Sequence, residues 1–180
     1  KGGFSDKIDD RTGESFTDVY LTKLNKKNNW SAPQIVGEPI SGSGNEGSVS
    51  LNKRGTTMYL TQCKVVKKKS TGCRIYVSKR NGQIWSAPQV LQIKLDSNAS
   101  IGHPSISNDE KSLIFSSDMP GGYGGKDLWI VNKEKRNKWS APINLGPAVN
   151  TSGDEMFPFL HEDGTLYFSS SGHLGMGGLD

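Results

Sequence analysis

The stretch SSDMPGGYGGKDLW (116–129) places four glycines directly before a lysine. Gly-rich turns of this kind can close backbone N–H groups around a phosphate. A phosphate loop needs the pattern G-x-x-x-x-G-K-[ST], but Pro120 stands at the first glycine position and Asp127 follows Lys126. The motif therefore predicts no nucleotide site. We interpret it as a hairpin turn in which glycines take positive φ angles and Asp127 bonds turn backbone.

Two cysteines, Cys63 and Cys73, flank the basic stretch KVVKKKSTG (64–72). We expect Cys63 to end one strand and Cys73 to begin the next, so antiparallel pairing would bring them opposite each other. A structural disulfide at this place would suit an oxidising compartment. Two reduced cysteines are the alternative. A zinc site is not predicted, because no histidine lies at ligand spacing from either cysteine.

The three histidines, His103, His161 and His173, show no metal-ligand spacing with one another or with other ligands. We expect them to have surface or packing roles, and we expect the chain to hold no metal and no cofactor.

Carboxylates recur at fixed repeat positions, Glu46 with Glu155 and Asp109 with Asp163. A glycosidase needs two carboxylates placed together, whereas recurrence distributes these residues over different repeats. Turn and capping roles are therefore expected. The segment HEDGTLYF (161–168) resembles the sialidase box S-x-D-x-G-x-T-W but lacks the residue between Asp and Gly, and no G-x-S-x-G occurs. These patterns predict a protein that is not an enzyme.

A repeat organises these residues. The motif WSAP occurs at Trp30–Pro33, Trp85–Pro88 and Trp139–Pro142, at intervals of 55 and 54 residues. A second element also recurs, as SVSLNKRGTTMYLT (48–61), HPSISNDEKSLIFSS (103–117) and FPFLHEDGTLYFSS (157–170). Each unit reads as four short strands, with the WSAP proline placing strand four at an outer edge. Four-stranded antiparallel units at this period predict an all-β fold, a β-propeller.

The frame of the repeat predicts the domain organisation. Asp18, Asp127 and Asp180 fall at one position, a turn-capping site just before strand three. This gives a half blade at about 18–40, full blades at about 46–92 and 102–146, and a half blade at about 155–170. About three blades' worth suggests a fragment of a larger propeller, since typical propellers have four to eight blades. Alternatively, two copies could self-associate by exchanging half-blades and close a six-bladed ring.

The tryptophans also follow the repeat. Trp30, Trp85 and Trp139 occur once per blade, which favours blade packing over a ladder of ligand-stacking rings. Trp129 lies in strand three of its blade, and we expect it in the core as well.

Composition narrows the remaining classes. The chain has 180 residues, 33% hydrophobic residues, 22 glycines and a net charge of +4, and it lacks the run of about 20 apolar residues that a membrane helix needs. The basic residues concentrate around 64–80 without interleaved aromatics, which argues against nucleic-acid binding. No signal peptide is apparent, and the first residues resemble the interior of a longer protein. The stretch DKIDDRTGES (6–15) lacks the spacing of a calcium loop, and we interpret it as an insertion.

The string GGYGGKDLW…WSAPINLGPAVNT…DEMFPF…DGTLYFSS (121–170) resembles the TolB-like, WD-type propeller repeats of Bacteroidetes envelope proteins. The earlier units depart from the family pattern, because Ile35–Glu38 replaces the N-L-G element and Val49 replaces the proline found at Pro104 and Pro158.

The resemblance implies a scaffold that binds other cell-envelope proteins and has no catalytic residues. It also implies a periplasmic, outer-membrane-associated location. Such propellers often lie between helical repeats and an OmpA-like domain in outer-membrane lipoproteins, so peptidoglycan would be bound through a domain outside this chain. One such protein belongs to the type IX secretion machinery. The alternative function is an envelope hydrolase or a carbohydrate-binding propeller, which rests on fold analogy alone.

Overall fold

The computed structural model describes residues 8–9, 13–42, 44–66, 69–95 and 99–180. Most of the predicted insertion (6–15) and the tip of the basic stretch, Lys67 and Lys68, lie outside the described residues. The described residues form fifteen strands and a short 3₁₀ helix at Lys135–Asn137. The strands are β1 (Ile8–Asp9), β2 (Glu14–Ser15), β3 (Tyr20–Leu21), β4 (Gln34–Ile35), β5 (Asn45–Leu51), β6 (Thr57–Val66), β7 (Lys69–Asn81), β8 (Ile84–Trp85), β9 (Gln89–Val90), β10 (Ile101–Ile106), β11 (Ser112–Ser117), β12 (Asp127–Asn132), β13 (Ile143–Asn144), β14 (Glu155–Leu160) and β15 (Leu166–Ser170).

Two antiparallel sheets occupy the centre of the chain. Blade 1 has the order β5-β6-β7-β8, with β9 also pairing with β7, and blade 2 has the order β10-β11-β12-β13. Each is a meander in which sequential strands are neighbours. The prediction of an all-β fold built from four-stranded antiparallel units is confirmed by these sheets.

A two-stranded sheet lies on either side of these blades. β3 pairs with β4 to form the N-terminal half-blade, which holds strands three and four of the repeat. β14 pairs with β15 to form the C-terminal half-blade, which holds strands one and two. A separate hairpin of β1 and β2 precedes them.

Successive sheets stack through two apolar clusters, as the blades of a propeller do. The N-terminal half-blade and blade 1 share a cluster of Val19, Ile40, Met58, Leu60 and Tyr76. Blades 1 and 2 share a larger cluster of Tyr59, Ile75, Leu91, Ile101, Ile106, Leu113, Phe115, Trp129 and Val131. Strand residues therefore alternate between the preceding and the following sheet, as the period of two requires.

The serine of WSAP joins the outer strand to strand three in all three copies. The backbone N–H groups of Ser31, Ser86 and Ser140 donate to the carbonyls of Lys23, Lys79 and Asn132, each at 2.8 Å. The three serine Oγ atoms accept from the N–H groups of those same residues at 3.0, 3.1 and 3.0 Å. The proline two residues later interrupts strand four, since it has no N–H to donate. In blade 1 this strand is consequently split into β8 and β9.

The tryptophans divide by position. Trp129 is buried within the larger cluster, and Trp139 packs against the same cluster. Trp85 packs against the smaller cluster between the N-terminal half-blade and blade 1. Arg80 lies over the Trp85 ring and Lys133 over the Trp139 ring, each at 5.4 Å. The expected packing role is wrong for Trp30, which is 68% exposed. The physical reason is its place in the stack, because the described residues before the N-terminal half-blade form only the two-residue strands β1 and β2 and no full blade.

Some strand limits also differ from those expected. β11 and β12 begin and end where the sequence predicts, but β10 starts at Ile101 rather than at 103. β6 and β7 continue past the cysteines to Val66 and from Lys69. Cys63 and Cys73 therefore lie inside a longer hairpin rather than at strand ends. In the described residues, no helix is long and apolar enough to cross a bilayer.

Candidate functional site

Strand one of the repeat carries an irregularity at a similar position in blade 1, in blade 2 and in the C-terminal half-blade. The pairing register shifts between Glu46 and Val49 in β5, between Gly102 and Ser105 in β10, and between Met156 and Phe159 in β14. Bulges of this kind redirect side chains and are frequent next to binding sites.

Within two of these bulges a non-glycine residue adopts left-handed backbone. His103 has φ 51° and Phe157 has φ 53°. Such a conformation costs of order 1–3 kcal/mol per residue, and strain of this kind clusters at ligand clamps and active sites. The two strained residues occupy equivalent positions of blade 2 and the C-terminal half-blade.

The strain brings two rings together. The imidazole of His103 stacks on the phenyl ring of Phe157, with 4.1 Å between centroids and 20° between planes. The backbone N–H of His103 is held by Thr61 Oγ1 of blade 1 at 2.9 Å. Burial, and to a smaller extent the charge of Lys126, lowers the pKa of His103, so its imidazole is neutral at pH 7. Its Nδ1 atom is buried and has no hydrogen-bond partner in the described part of the chain.

These rings border a cavity of about 270 Å³ between the first strands of successive sheets. Most of the other lining residues are small or carry hydroxyl groups, and the rim includes both cysteines. The lining comprises Thr17, Asn45, Glu46, Gly47, Ser48, Thr61, Cys63, Cys73, Ser100, Gly102, His103, Ser116, Lys126 and Phe157. Among the described lining residues, Glu46 is the one carboxylate and Lys126 the one lysine.

Glu46 is a buried acid with few partners. Gln62 Nε2 donates to its Oε1 at 3.3 Å, and its Oε2 is buried without a partner among the described residues. Burial raises its pKa to about 7, and the negative charge of Asp18 adds to the effect. Near neutral pH this side chain can therefore either donate or accept a hydrogen bond.

Glu155 stands at the same repeat position and behaves in the opposite way. It is also fully buried, but it accepts hydrogen bonds from Thr151 N at 3.0 Å, Thr151 Oγ1 at 2.6 Å and Ser170 Oγ at 2.7 Å. Desolvation raises its pKa, but these hydrogen bonds together outweigh that effect and hold the pKa below its usual range. Glu155 is thus a structural cap, while Glu46 retains unused hydrogen-bonding capacity beside the cavity.

A disulfide links Cys63 and Cys73, which face each other directly in the β6–β7 register with Cα atoms 4.1 Å apart. It lies beside the point where the register of this hairpin shifts, between Cys63 and Val65. The crosslink therefore holds the hairpin together at the rim of the cavity.

The Gly-rich stretch forms a turn next to Lys126. Asp127 is buried and accepts hydrogen bonds from Tyr123 N at 2.6 Å, Gly124 N at 3.2 Å and Asn144 Nδ2 at 2.8 Å. Of the four glycines in this turn, Gly121 alone has a positive φ angle. At Gly124 a Cβ would instead lie 2.3 Å from the carbonyl oxygen of Gly153. The glycines therefore serve close backbone contact more than positive φ, which the sequence did not indicate.

The other turn-capping aspartates differ. Asp180 Oδ2 accepts a hydrogen bond from Gly177 N at 2.7 Å, as a turn cap does. The capping role expected for Asp18 is not seen, because its buried Oδ2 has no partner among the described residues. A β1–β2 hairpin replaces the Gly-rich turn before Asp18, and no donors equivalent to Tyr123 N and Gly124 N are described there.

The remaining candidate residues lie apart from the cavity. Asp109 and Asp163 cap turns, accepting from Lys111 N at 3.0 Å and Thr165 N at 2.8 Å. His161 contacts Asp163 at 3.0 Å. In the described residues, no group of three or more His, Cys, Asp or Glu side chains is arranged to hold a metal ion.

The repeat pattern does not predict this site. His103 and Phe157 occupy one repeat position, but their dissimilar side chains do not indicate a shared strained conformation. The prolines that follow them, Pro104 and Pro158, are the one local indication of an irregular strand.

No protein-family model and no curated protein matches this chain. Among solved structures, the chain is similar to TolB from Acinetobacter baumannii, with 13% sequence identity and a TM-score of 0.46. The match covers 89% of this chain and 36% of that one, so the chain spans about a third of the length of that TolB structure.

Proposed function

We propose that the chain is a non-catalytic propeller module that binds partner proteins in the bacterial cell envelope. The observation that carries the proposal is the strained, stacked pair of His103 and Phe157 beside a cavity with unpaired polar groups. Strained backbone persists where the surrounding fold enforces it, and it clusters at ligand clamps, active sites and switch regions.

The chemistry of the cavity fits a polypeptide partner. Phe157 offers half of its surface to solvent, while Lys126 and Glu46 provide a cation and a protonatable acid. An aromatic anchor surrounded by polar groups is the usual composition of a protein-binding surface. A glycosidase would need a second carboxylate facing the cavity beside Glu46. Asp18 is close enough for its charge to act on Glu46, but it is not among the described lining residues.

The compartment is proposed on separate grounds. Disulfides persist in oxidising compartments such as the bacterial periplasm, and the Cys63–Cys73 bond fits such a location. Together with the repeat resemblance, this supports a periplasmic module of an outer-membrane-associated protein. Peptidoglycan attachment would come from a domain outside this chain, and the partners would include components of a secretion machinery.

The test removes the two rings without changing the backbone that holds them. Glycine adopts positive φ readily, so the double variant His103→Gly/Phe157→Gly keeps the bulges and deletes the stacked pair. The immobilised wild-type chain should capture a defined protein from the solubilised envelope of the bacterium that carries the gene. Loss of a binding hot spot should reduce that capture by about tenfold or more.

The matched control is Ile84→Ser, a change at an exposed side chain on the outer strand of blade 1. It should capture the same protein as the wild type. The proposal fails if no envelope protein is captured, or if the double glycine variant captures it as well as the control does.

A further inference from the structure

The turns at one end of the strands lie side by side. In blade 1 the turn between strands one and two meets the turn between strands three and four, because Arg80 N donates to Thr56 O at 2.8 Å. In blade 2 the equivalent bond runs from Lys133 N to Lys111 O at 2.7 Å. Because successive sheets stack through the two apolar clusters, these turns form one surface, which we call the turn face. The turn face consists of 23–30, 52–56, 79–85, 107–111, 133–139 and 161–165.

The turn face concentrates the positive charge of the chain. It holds twelve of the 22 lysines and arginines but five of the 18 aspartates and glutamates, which gives a net charge of +7. The rest of the chain has ten basic and thirteen acidic residues, a net charge of −3. The fold therefore gathers basic residues that are far apart in the sequence. They are Lys23, Lys26, Lys27, Lys53, Arg54, Lys79, Arg80, Lys111, Lys133, Lys135, Arg136 and Lys138.

These basic side chains are accessible to a partner. All of them are exposed except Lys133, which is half-buried. Arg54 pairs with Glu110 at 3.6 Å, and Lys111 pairs with Asp109 at 3.7 Å. The basic residues of the three strand three–four turns form no ion pair with a carboxylate in the described part of the chain. Most of the positive charge of the turn face is therefore not neutralised within the chain.

We propose that the turn face docks on an anionic membrane surface. Its basic residues come from separate turns of three successive sheets, and their attraction to a negatively charged bilayer adds up without a fixed pattern of partner groups. Ile84 is 75% exposed and lies in the same turn as Lys79 and Arg80. An exposed apolar side chain among basic residues suits the boundary between headgroups and acyl chains, where it can be buried while the cations stay at the phosphates.

Single-stranded nucleic acid is the other polyanion that such a face could attract. Its binding also needs exposed aromatic rings on which successive bases stack. Trp85 and Trp139 pack against the apolar clusters and lie beneath Arg80 and Lys133, which leaves Trp30 as the exposed indole of the described turn face. One exposed ring does not form a stacking platform, so the face favours a membrane.

The membrane proposal is independent of the partner binding proposed for the cavity. The cavity lies towards the opposite ends of the strands, because its lining includes Cys63 and Cys73 of the β6–β7 hairpin and Lys126 beside the Gly-rich turn. Both of these segments connect strand two to strand three. The variant His103→Gly/Phe157→Gly should therefore bind membranes as the wild type does, so that either proposal can fail without the other.

The experiment is co-sedimentation of the 180-residue chain with vesicles of phosphatidylcholine, made with and without an equal amount of phosphatidylglycerol. The chain should bind the anionic vesicles and not the neutral ones, and added salt should release it because ions screen the surface charge. The variant Lys26→Gln/Lys27→Gln/Lys79→Gln/Lys135→Gln removes four exposed charges from the turn face. Each lost charge should weaken partitioning roughly fivefold, so the variant should bind at least about 100-fold more weakly.

The matched control is Lys64→Gln/Lys67→Gln/Lys68→Gln/Lys69→Gln, which removes the same charge from the basic stretch of the β6–β7 hairpin. It should partition within about fivefold of the wild type, and urea unfolding checks that both variants are folded. A wild-type chain that does not bind anionic vesicles overturns the proposal, and so does a control that loses as much binding as the turn-face variant. Tighter binding, counted per phosphate, to a single-stranded oligonucleotide than to the vesicles would assign the face to nucleic acid and overturn the membrane proposal.

Discussion

Glu46 and Glu155 show how one repeat position can hold two different groups. Glu155 has Thr151 and Ser170 as donors. In the earlier unit, the residue four positions before Glu46 is Gly42, and the residue paired with Glu46 in the sheet is Gln62. Gly42 has no hydroxyl group, so Glu46 lacks the strongest of those hydrogen bonds. The difference between a structural cap and a perturbed acid follows from these neighbouring substitutions.

The raised pKa of Glu46 predicts a pH-dependent stability. With a pKa of about 7 in the folded chain and 4.5 as its ordinary value, the folded state binds the extra proton between these values. Its contribution is therefore fully present below about pH 4.5 and is lost as the pH rises through 7. Glu46→Gln should remove this dependence, so that the wild type loses about 3 kcal/mol more than the variant between pH 4 and pH 8.

Urea unfolding of both proteins at several pH values measures the difference. Glu162→Gln is the control, because it removes an exposed carboxyl and should leave the pH dependence of the wild type unchanged. Parallel pH profiles for the wild type and Glu46→Gln would show that the Glu46 pKa is not raised.

Individual strands were predictable from sequence to different degrees. β11 and β12 alternate apolar side chains and are bounded by turn residues, so their limits followed directly. β8, β9 and β13 have two residues each, and their pairing depends on the WSAP serine rather than on apolar alternation. The bulged first strands were not predictable, because their register depends on contacts between sheets, such as the bond from Ile106 N to Ser50 Oγ at 3.1 Å.

The β6–β7 hairpin is held together by its disulfide as well as by its strand pairing. Its disulfide closes a loop between residues ten apart, and such a crosslink stabilises a fold by roughly 3 kcal/mol in the chain-entropy model. The double variant Cys63→Ser/Cys73→Ser should therefore have an unfolding free energy lower by about that amount. Its urea midpoint should fall accordingly. Its β6–β7 pairing should persist, because the hairpin continues on both sides of the cysteines.

Intact mass spectrometry tests the bond itself. The wild-type chain should gain two hydrogens on reduction, and its cysteines should resist alkylation until then. Alkylation of both thiols in the unreduced, unfolded protein would contradict the disulfide.

At the scale of the whole molecule, the stack of sheets decides what each repeat residue does. The three WSAP tryptophans share the same serine-linked backbone, but their burial depends on whether a sheet precedes them. Sequence periodicity correctly predicts the four-stranded units, yet it treats every copy as equivalent. The ends of the described stack break that equivalence, which is why Trp30 was expected in a core and lies exposed.

This position dependence predicts unequal costs for one substitution. Trp139→Ala removes an indole packed against the cluster between blades 1 and 2, together with its contact to Lys133, and should cost roughly 2 kcal/mol, less than a fully buried tryptophan. Trp30→Ala removes an exposed ring and should change the unfolding free energy by less than about 0.5 kcal/mol. Urea unfolding compares the two variants with the wild type. Equal losses of unfolding free energy would mean that Trp30 is packed in the same way as Trp139. Burial in this chain would then follow the repeat motif and not the position of a sheet within the stack.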